Sequence, residues 1–276
     1  WALDDGAGTT AVDSSGNGND GTFQGAPAWV AGHLGGAIRV GGSDWVDCGD
    51  GGGALDFGGA ITITCWINPT ALGGQQGLAA RSGAYAFKAS DTFARFTTPG
   101  VLDHTSVNLT LVNGEWQHLA ASFQASQTEG LIFYLNGDET DRIDSAGINA
   151  ATGPFLIASN QWGENLNGMI DDVRVYDHIL TPEEVAEAML GGEPGMAVSP
   201  SPGDGAIDVS RDVVMEWTAG KYAATHDVYF GTVFDDVNDA SRSNLLGVFL
   251  SQDQVGTSYD PVGTLDFGQT YYWRVD

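Results

Sequence analysis

Two adjacent carboxylates stand inside a stretch that otherwise has the composition of a β-strand. Asp171 and Asp172 lie in the run 168–180, among β-branched and aromatic residues. Because aspartate is poorly suited to strands, a pair of them in such a run indicates a functional site. A second group of oxygen-bearing side chains lies at 13–20, in a loop whose glycines let backbone carbonyls turn inward. Carboxylate, amide and carbonyl oxygens are the ligands that Ca²⁺ prefers.

These two stretches predict one shared cation site if the first and last strands of a domain pair. Antiparallel pairing of 1–5 with 171–176 would bring Asp171 near the loop, where carboxylates repel one another unless a cation lies among them. Ca²⁺ tolerates an irregular loop better than Mg²⁺. The predicted ligands are Asp13, Asn17, Asn19 and Asp171, with Asp5 and Asp172 in reserve. The alternative is that Asp13, Asn17 and Asn19 hydrogen-bond within their own turn, which is favoured for the loop taken alone.

One tryptophan lies in a polar segment without apolar periodicity. Trp162 is flanked by Asn, Gln, Gly and Glu in 160–165, whereas core packing accounts for Trp1, Trp29, Trp45, Trp66, Trp116 and Trp217. Sugars stack on exposed aromatic faces, and nearby polar groups fix their orientation. We therefore predict a ligand-binding loop formed by Trp162, Asn160 and Asn165. The alternative is a loop that folds over the sheet.

Three carboxylates imitate the spacing of a glycoside hydrolase. Glu139 and Asp141 would share a face of a strand, but Asp144 would point the other way without a bulge. The segment follows the hairpin signal Asn136-Gly137, where polar side chains usually face water. Nucleophile-elbow, zinc-binding and phosphate-loop motifs are missing from the sequence. We predict that the protein is not an enzyme, with a glycoside hydrolase as the distant alternative.

The net charge of the chain limits the kinds of molecule that it can bind. Lys and Arg total 10 against 36 Asp and Glu, which gives a net charge of −26. Such a surface repels nucleic acid and anionic membranes, and no apolar run is long enough to insert into a bilayer. The sequence starts and ends within strand patterns, so we expect a fragment of a longer protein.

The two cysteines leave two interpretations open. Cys65 is in phase with the buried side of an alternating strand, and Cys48 follows a short strand. They are compatible with one disulfide in an oxidising compartment, or with two separate buried thiols. The sequence does not supply the Cα separation that would decide.

Periodicity predicts many short strands and one helix before residue 192. Thr181 caps the helix, Pro182 suits its first position, and Glu184 completes a capping box. The helix spans 182–190 and ends at a glycine pair. Strands are predicted at 37–40, 44–48, 60–67, 85–89, 94–97, 115–123, 131–135 and 155–158, and later at 213–217, 226–230, 247–250 and 270–275. The fold class is all-β: an antiparallel jelly-roll β-sandwich with one short C-terminal helix over 1–192, a linker at 193–197, and a smaller sandwich over 198–276.

Several motifs carry a family resemblance. They are Trp1-Ala-Leu-Asp-Asp-Gly-Ala-Gly, Asp13-Ser-Ser-Gly-Asn-Gly-Asn-Asp-Gly-Thr22, Leu55-Asp-Phe, Ile61-Thr-Ile-Thr-Cys-Trp-Ile, Gly114-Glu-Trp-Gln-His-Leu-Ala, Phe133-Tyr-Leu-Asn-Gly and Gly168-Met-Ile-Asp-Asp-Val-Arg-Val-Tyr. Residues 1–192 thereby resemble the bacterial laminin-G-like, concanavalin A-like jelly rolls, with pentraxins as distant relatives. Residues 198–276 are similar to an immunoglobulin-like or fibronectin type III sandwich lacking its last strand.

The resemblance implies a non-catalytic module of a secreted or cell-surface bacterial protein. Such domains commonly bind calcium, and many bind glycans or other extracellular proteins. Asp171 falls in the family's last strand, which favours Ca²⁺ over a turn that merely bonds to itself. We therefore expect a calcium-binding module with a polysaccharide or glycan as partner. The alternative is a structural or adhesive spacer that binds proteins or neighbouring copies.

Overall fold

The chain forms two compact units. A computed structural model describes residues 1–191, 197–220 and 223–276, and it divides the chain into Trp1–Gly191 and Gly192–Asp276. Residues 193–196 of the predicted linker lie outside the described residues. The regular structure of the described residues is nearly all strand, as predicted for an all-β fold.

The first unit is a sandwich of two antiparallel sheets. Sheet I has the order β1-β2-β5-β14-β7-β8-β9-β10, and sheet II has the order β13-β12-β11-β6-β15-β4-β3. Neighbouring strands that are distant in the sequence, such as β6 and β15, give the crossovers of a jelly roll. The strands are β1 (Thr10–Ala11), β2 (Gly21–Gln24), β3 (Ala28–Ala31), β4 (Gly36–Gly41), β5 (Trp45–Asp47), β6 (Ala60–Pro69), β7 (Gln76–Arg81), β8 (Tyr85–Ala89), β9 (Ala94–Thr98), β10 (Leu102–Thr105), β11 (Gln117–Gln124), β12 (Leu131–Leu135), β13 (Asp138–Ile143), β14 (Phe155–Ile157) and β15 (Asn167–Tyr176).

Alternation along each strand fixes which side chains face the core. In β8, Tyr85 and Phe87 are fully buried between the sheets, so Lys88 projects from the outer face of sheet I. In β9, Phe96 takes the inner side and Arg95 the outer side. Lys88 and Arg95 are direct cross-strand partners, which places two cations side by side on that outer face.

A short helix covers part of the outer face of sheet II. The helix α1 (Pro182–Met189) begins with the predicted capping box: the Thr181 hydroxyl accepts from the Glu184 amide, and the Glu184 carboxylate accepts from the Thr181 amide. Val185 and Ala188 of α1 pack against a cluster on β11 and β12 that includes Tyr134. The helix therefore covers sheet II, whereas Lys88 and Arg95 lie on the outer face of sheet I.

The pairing of residues 1–5 with the last strand of the unit, β15, is much shorter than predicted. Residues 1–5 form no strand, and the link is a single residue pair in which Trp1 and Val173 exchange two backbone hydrogen bonds. On its other edge β15 pairs with β6 as far as Tyr176, whereas β4 pairs with it only from Asn167 to Ile170.

The second unit contains two three-stranded sheets among its described residues, in the orders β16-β17-β20 and β19-β18-β21. Its strands are β16 (Val198–Ser201), β17 (Met215–Thr218), β18 (His226–Gly231), β19 (Phe249–Gln254), β20 (Ser258–Tyr259) and β21 (Tyr272–Val275). A helix, α2 (Phe234–Asp239), was not predicted. The fibronectin-like assignment and the missing last strand stay predictions. Neither helix of the described residues is long and apolar enough to cross a bilayer.

Candidate functional site

The loop between β14 and β15 is folded around the side chain of Asn160. Its Oδ1 accepts from the amides of Trp162 at 3.0 Å and Glu164 at 3.3 Å, and its Nδ2 donates to Glu164 Oε2 at 2.9 Å. These bonds bury Asn160 almost completely. These three bonds hold the turn that presents Trp162, and a contact between Asn160 and a ligand stays a prediction.

Asn165 ties the same loop to the body of the unit. Its Nδ2 donates to the carbonyl of Gly42 at 3.1 Å, and its Oδ1 accepts from the Ser159 hydroxyl. Both functional ends of the side chain are thus engaged within the protein. Asn165 therefore anchors the loop, and its role as a ligand contact stays a prediction.

The loop backbone rests directly on β7 at a glycine. The Gly77 amide donates to the Glu164 carbonyl at 2.6 Å. A Cβ at residue 77 would lie 2.5 Å from the Ser159 carbonyl carbon, closer than such contacts allow. Only glycine permits this approach, so Gly77 sets the height of the loop above sheet I.

Trp162 projects from this loop with 48% of its surface exposed. The Lys88 ammonium lies 4.2 Å from the centre of its ring, within cation–π distance. Lys88 is itself buried, and its Nζ is 2.9 Å from Glu164 Oε2 and 3.3 Å from Gln75 Oε1. The loop thus lies on sheet I, as the alternative expected, but about half of the Trp162 side chain remains exposed. The ring is an exposed aromatic platform supported from below by the buried Lys88, which is paired with Glu164.

The polar surface continues along sheet I beyond Lys88. Arg95, its cross-strand partner, lies 3.1 Å from Asp103 Oδ2, and Asp103 Oδ1 accepts from the Thr97 hydroxyl at 2.7 Å. Trp162 with these flanking ion pairs forms what we call the Trp162 face. Sequence reasoning missed Lys88, Glu164, Arg95 and Asp103, although the alternation of β8 and β9 places Lys88 and Arg95 outside the core.

The predicted calcium ligands in the first loop are engaged by the loop itself. Asp13 accepts four hydrogen bonds: Oδ1 from the Ser15 amide and hydroxyl, and Oδ2 from the Asn19 amide and side chain. Burial opposes ionisation of Asp13, but these bonds outweigh it, so its pKa is lowered. Asn17 donates to the Ser15 hydroxyl, and Asp5 accepts from the Val12 amide. Both carboxylate oxygens of Asp13 are therefore engaged within the loop.

Asp171 and Asp172 mark an irregularity of β15. One extra residue is inserted between the pairings of Asp171 and Arg174 with β6, and Asp172 has a φ of 47°. Asp171 Oδ2 accepts from the amides of His33 and Leu34, while Oδ1 has no hydrogen-bond partner among the described residues. Burial raises the pKa of Asp171 to about 6, and the two amides offset part of that rise. Asp172 forms an ion pair with Arg174 at 2.9 Å.

The predicted carboxylate ligands each have partners of their own. Asp13 is bonded within the first loop, Asp171 accepts from the His33 and Leu34 amides, and Asp172 pairs with Arg174. Within the part of the chain that the structure describes, no three His, Cys, Asp or Glu side chains are placed to hold a metal ion. Calcium binding and the predicted set of ligands stay predictions.

The two cysteines are free, which favours the second interpretation, two separate buried thiols, over a disulfide. Cys48 follows β5 of sheet I, and Cys65 lies in β6 of sheet II. Facing sheets pack about 10 Å apart, whereas a disulfide needs Cα atoms within about 7 Å. Both thiols are buried in the core, and burial raises the pKa of each well above its ordinary value.

The carboxylates that imitated a hydrolase have structural partners. Glu139 pairs with Arg142 at 2.6 Å, and Asp144 accepts from the Glu129 amide. Asp141 is buried rather than solvated, because it accepts hydrogen bonds from the amides of Val107 and Asn108. Asp141 and Asp144 thus hold neighbouring loops, and Glu139 pairs within its own strand, β13.

Comparisons with known proteins agree with this architecture. Residues 40–186 match the profile of a family described as the concanavalin A-like lectin/glucanases superfamily. No curated protein sequence matches the chain significantly. Among solved structures, domain 4 of AbnA, a GH43 extracellular arabinanase from Geobacillus stearothermophilus, in complex with arabinotriose, is 21% identical, with a TM-score of 0.53 over 64% of this chain and 91% of that one.

Two other solved structures are less similar. A SAP-like pentraxin from Limulus polyphemus is 19% identical, with a TM-score of 0.42 over 50% of this chain and 73% of that one. A sialidase from Trypanosoma rangeli is 12% identical, with a TM-score of 0.45 over 62% of this chain and 29% of that one. The matched sequence profile covers more than half of the chain, and it lies within the first unit.

Proposed function

The chain belongs to the concanavalin A-like lectin/glucanases superfamily, and from this premise we propose that its first unit is a non-catalytic glycan-binding module. The observation that carries the proposal is the exposed ring of Trp162, held in place by the buried Asn160 and Lys88. A buried polar network beneath an exposed aromatic ring fixes the ring's orientation before a ligand arrives. Such preorganisation reduces the entropic cost of binding.

A sugar is the ligand class that suits this face best. The C–H faces of a pyranose or furanose ring stack on an indole, while hydroxyls exchange hydrogen bonds with carboxylates and amides. Glu164 and Gln75, which share Lys88 with the Trp162 ring, supply such polar groups, and Asp103 on β10 adds another further along sheet I. The arabinanase domain of similar fold, solved with arabinotriose, supports a glycan as the ligand.

The parent protein is proposed to be a secreted or cell-surface multidomain protein. A module beside a second compact unit suits a chain that brings other domains to a polysaccharide. The absence of hydrolysis is part of the proposal, because Glu139, Asp141 and Asp144 are engaged by their own neighbours.

Affinity electrophoresis of the full chain through gels containing plant and bacterial polysaccharides tests the proposal. We expect at least one polysaccharide to retard the protein, and Trp162→Ala to abolish the retardation. Phe267→Ala is the matched control, because Phe267 is an exposed ring with a cation, Arg211, 4.3 Å from its centre, in the second unit. If no polysaccharide retards the protein, or Trp162→Ala behaves as wild type, the proposal fails and the spacer alternative gains support.

A further inference from the structure

We infer that the Trp162 face selects neutral, hydroxyl-rich glycans and rejects polyanionic ones. This inference rests on the proposed function and names the substrate class of the same site. It follows from how the two ion pairs of the face are oriented toward solvent.

In both pairs the carboxylate is the more exposed partner. The side chain of Lys88 is 5% exposed and that of Glu164 is 29% exposed. The side chain of Arg95 is 19% exposed and that of Asp103 is 51% exposed. A ligand that approaches the face therefore meets carboxylate oxygens before it meets the cations.

Each of the two cations already has interaction partners within the protein. Lys88 Nζ is shared among Glu164, Gln75 and the ring of Trp162. Arg95 donates from Nε to the Thr105 hydroxyl and from Nη1 to Asp103, and its guanidinium lies 4.9 Å from the Phe93 ring centre. A ligand carboxylate or sulfate would have to break these contacts to be neutralised, whereas a neutral hydroxyl does not.

The arrangement also explains how two positively charged side chains can lie directly opposite each other on neighbouring strands. Like charges opposite each other in a sheet destabilise it unless they are compensated. Glu164 and Asp103 supply that compensation from opposite sides of the Lys88–Arg95 pair. The same carboxylates accept hydrogen bonds from sugar hydroxyls, so charge compensation and ligand recognition use the same side chains. The net charge of −26 adds a long-range repulsion of polyanions.

Specificity is tested by comparing neutral with acidic polysaccharides on the full chain. The neutral set is arabinan, galactan and xyloglucan, and the acidic set is polygalacturonate, alginate and chondroitin sulfate. We expect Trp162-dependent binding within the neutral set and binding at least about tenfold weaker throughout the acidic set, because juxtaposed like charges strongly disfavour association. Raising the salt concentration should narrow the gap by screening the repulsion.

A charge-neutralising variant identifies the residues responsible. Asp103→Asn exposes Arg95 without its partner and should increase binding of an acidic polysaccharide several-fold. Asp138→Asn changes the net charge equally but on β13 of sheet II, so it should have no such effect. Acidic polysaccharides that bind as well as neutral ones through Trp162 would overturn this inference and leave glycan binding intact. Binding of none of the six would remove the proposed function, and this inference with it.

Discussion

At the scale of single residues, His118 makes a pH-dependent contribution to stability. It is buried beside Trp66, and neither ring nitrogen has a hydrogen-bond partner among the described residues. Burial, with the nearby charges of Arg174 and His33, lowers its pKa to about 3. A histidine in the unfolded chain has a pKa of about 6.5, so the unfolded state binds more protons between these values and stability falls as the pH drops through them.

The free energy of unfolding by urea at pH 7 and pH 4.5 measures this effect. Between pH 7 and pH 4.5, the free energy of unfolding of His118→Leu should fall by roughly 2–3 kcal/mol less than that of the wild type. This difference corresponds to the two pH units that separate the unfolded-state pKa from pH 4.5. His178→Leu removes a histidine whose side chain is 46% exposed and should retain the wild-type dependence. Equal pH dependence in all three proteins would contradict the argument.

Residue identities alone pointed to some roles and concealed others. Trp162 stands out in the sequence because it is an aromatic residue in a polar loop that has no apolar periodicity. Asn160 and Asn165 stand in the same loop, but their side chains turn inward to the backbone, and composition cannot show that direction. Asp171 and Asp172 were recognised as irregular in a strand; the irregularity is a bulge, and a pattern of residue types does not distinguish a bulge from a metal site.

At the scale of elements, one glycine contact determines where the ligand loop sits. We expect Gly77→Ala to move the loop away from β7, because the new methyl group would overlap the Ser159 carbonyl. Overpacking of this kind costs about 1–3 kcal/mol, and glycan binding should fall toward the level of Trp162→Ala. Gly73→Ala is the control, since a Cβ there meets nothing within 4 Å. Unchanged binding in Gly77→Ala, measured by affinity electrophoresis, would show that the loop position does not matter.

Long, strictly alternating strands were predictable from the sequence. The strands β6, β8, β11 and β12 and the helix α1 all lie close to their expected bounds, because alternation or a capping box fixes them locally. The short strands β1–β3 and β10 were missed. They are only two to four residues long, too short for an alternating pattern to reveal them. The segment 1–5 is equally short, which explains why the extent of its pairing was overestimated.

At the scale of the whole molecule, calcium dependence separates the two interpretations of the acidic loop. Asp13 already accepts four hydrogen bonds, so a cation would have to displace them. We expect any difference in the melting temperature of the full chain between chelator and millimolar CaCl₂ to be independent of Asp13. Asp13→Ala should lower the melting temperature equally in both, because it removes the bonds that close the loop. A calcium-dependent rise that disappears in Asp13→Ala would restore the predicted metal site.

The central claim is that glycans bind at the Trp162 face, and ¹⁹F NMR tests it most directly. The full chain labelled with 5-fluorotryptophan should give one resonance for each of its eight tryptophans. Trp162→Phe assigns the resonance of Trp162 by its disappearance. On titration with the neutral oligosaccharide derived from the strongest-binding polysaccharide, the Trp162 resonance should shift in a saturable manner while the other seven stay in place. A resonance of Trp162 that does not move, while that of another tryptophan does, would contradict the account.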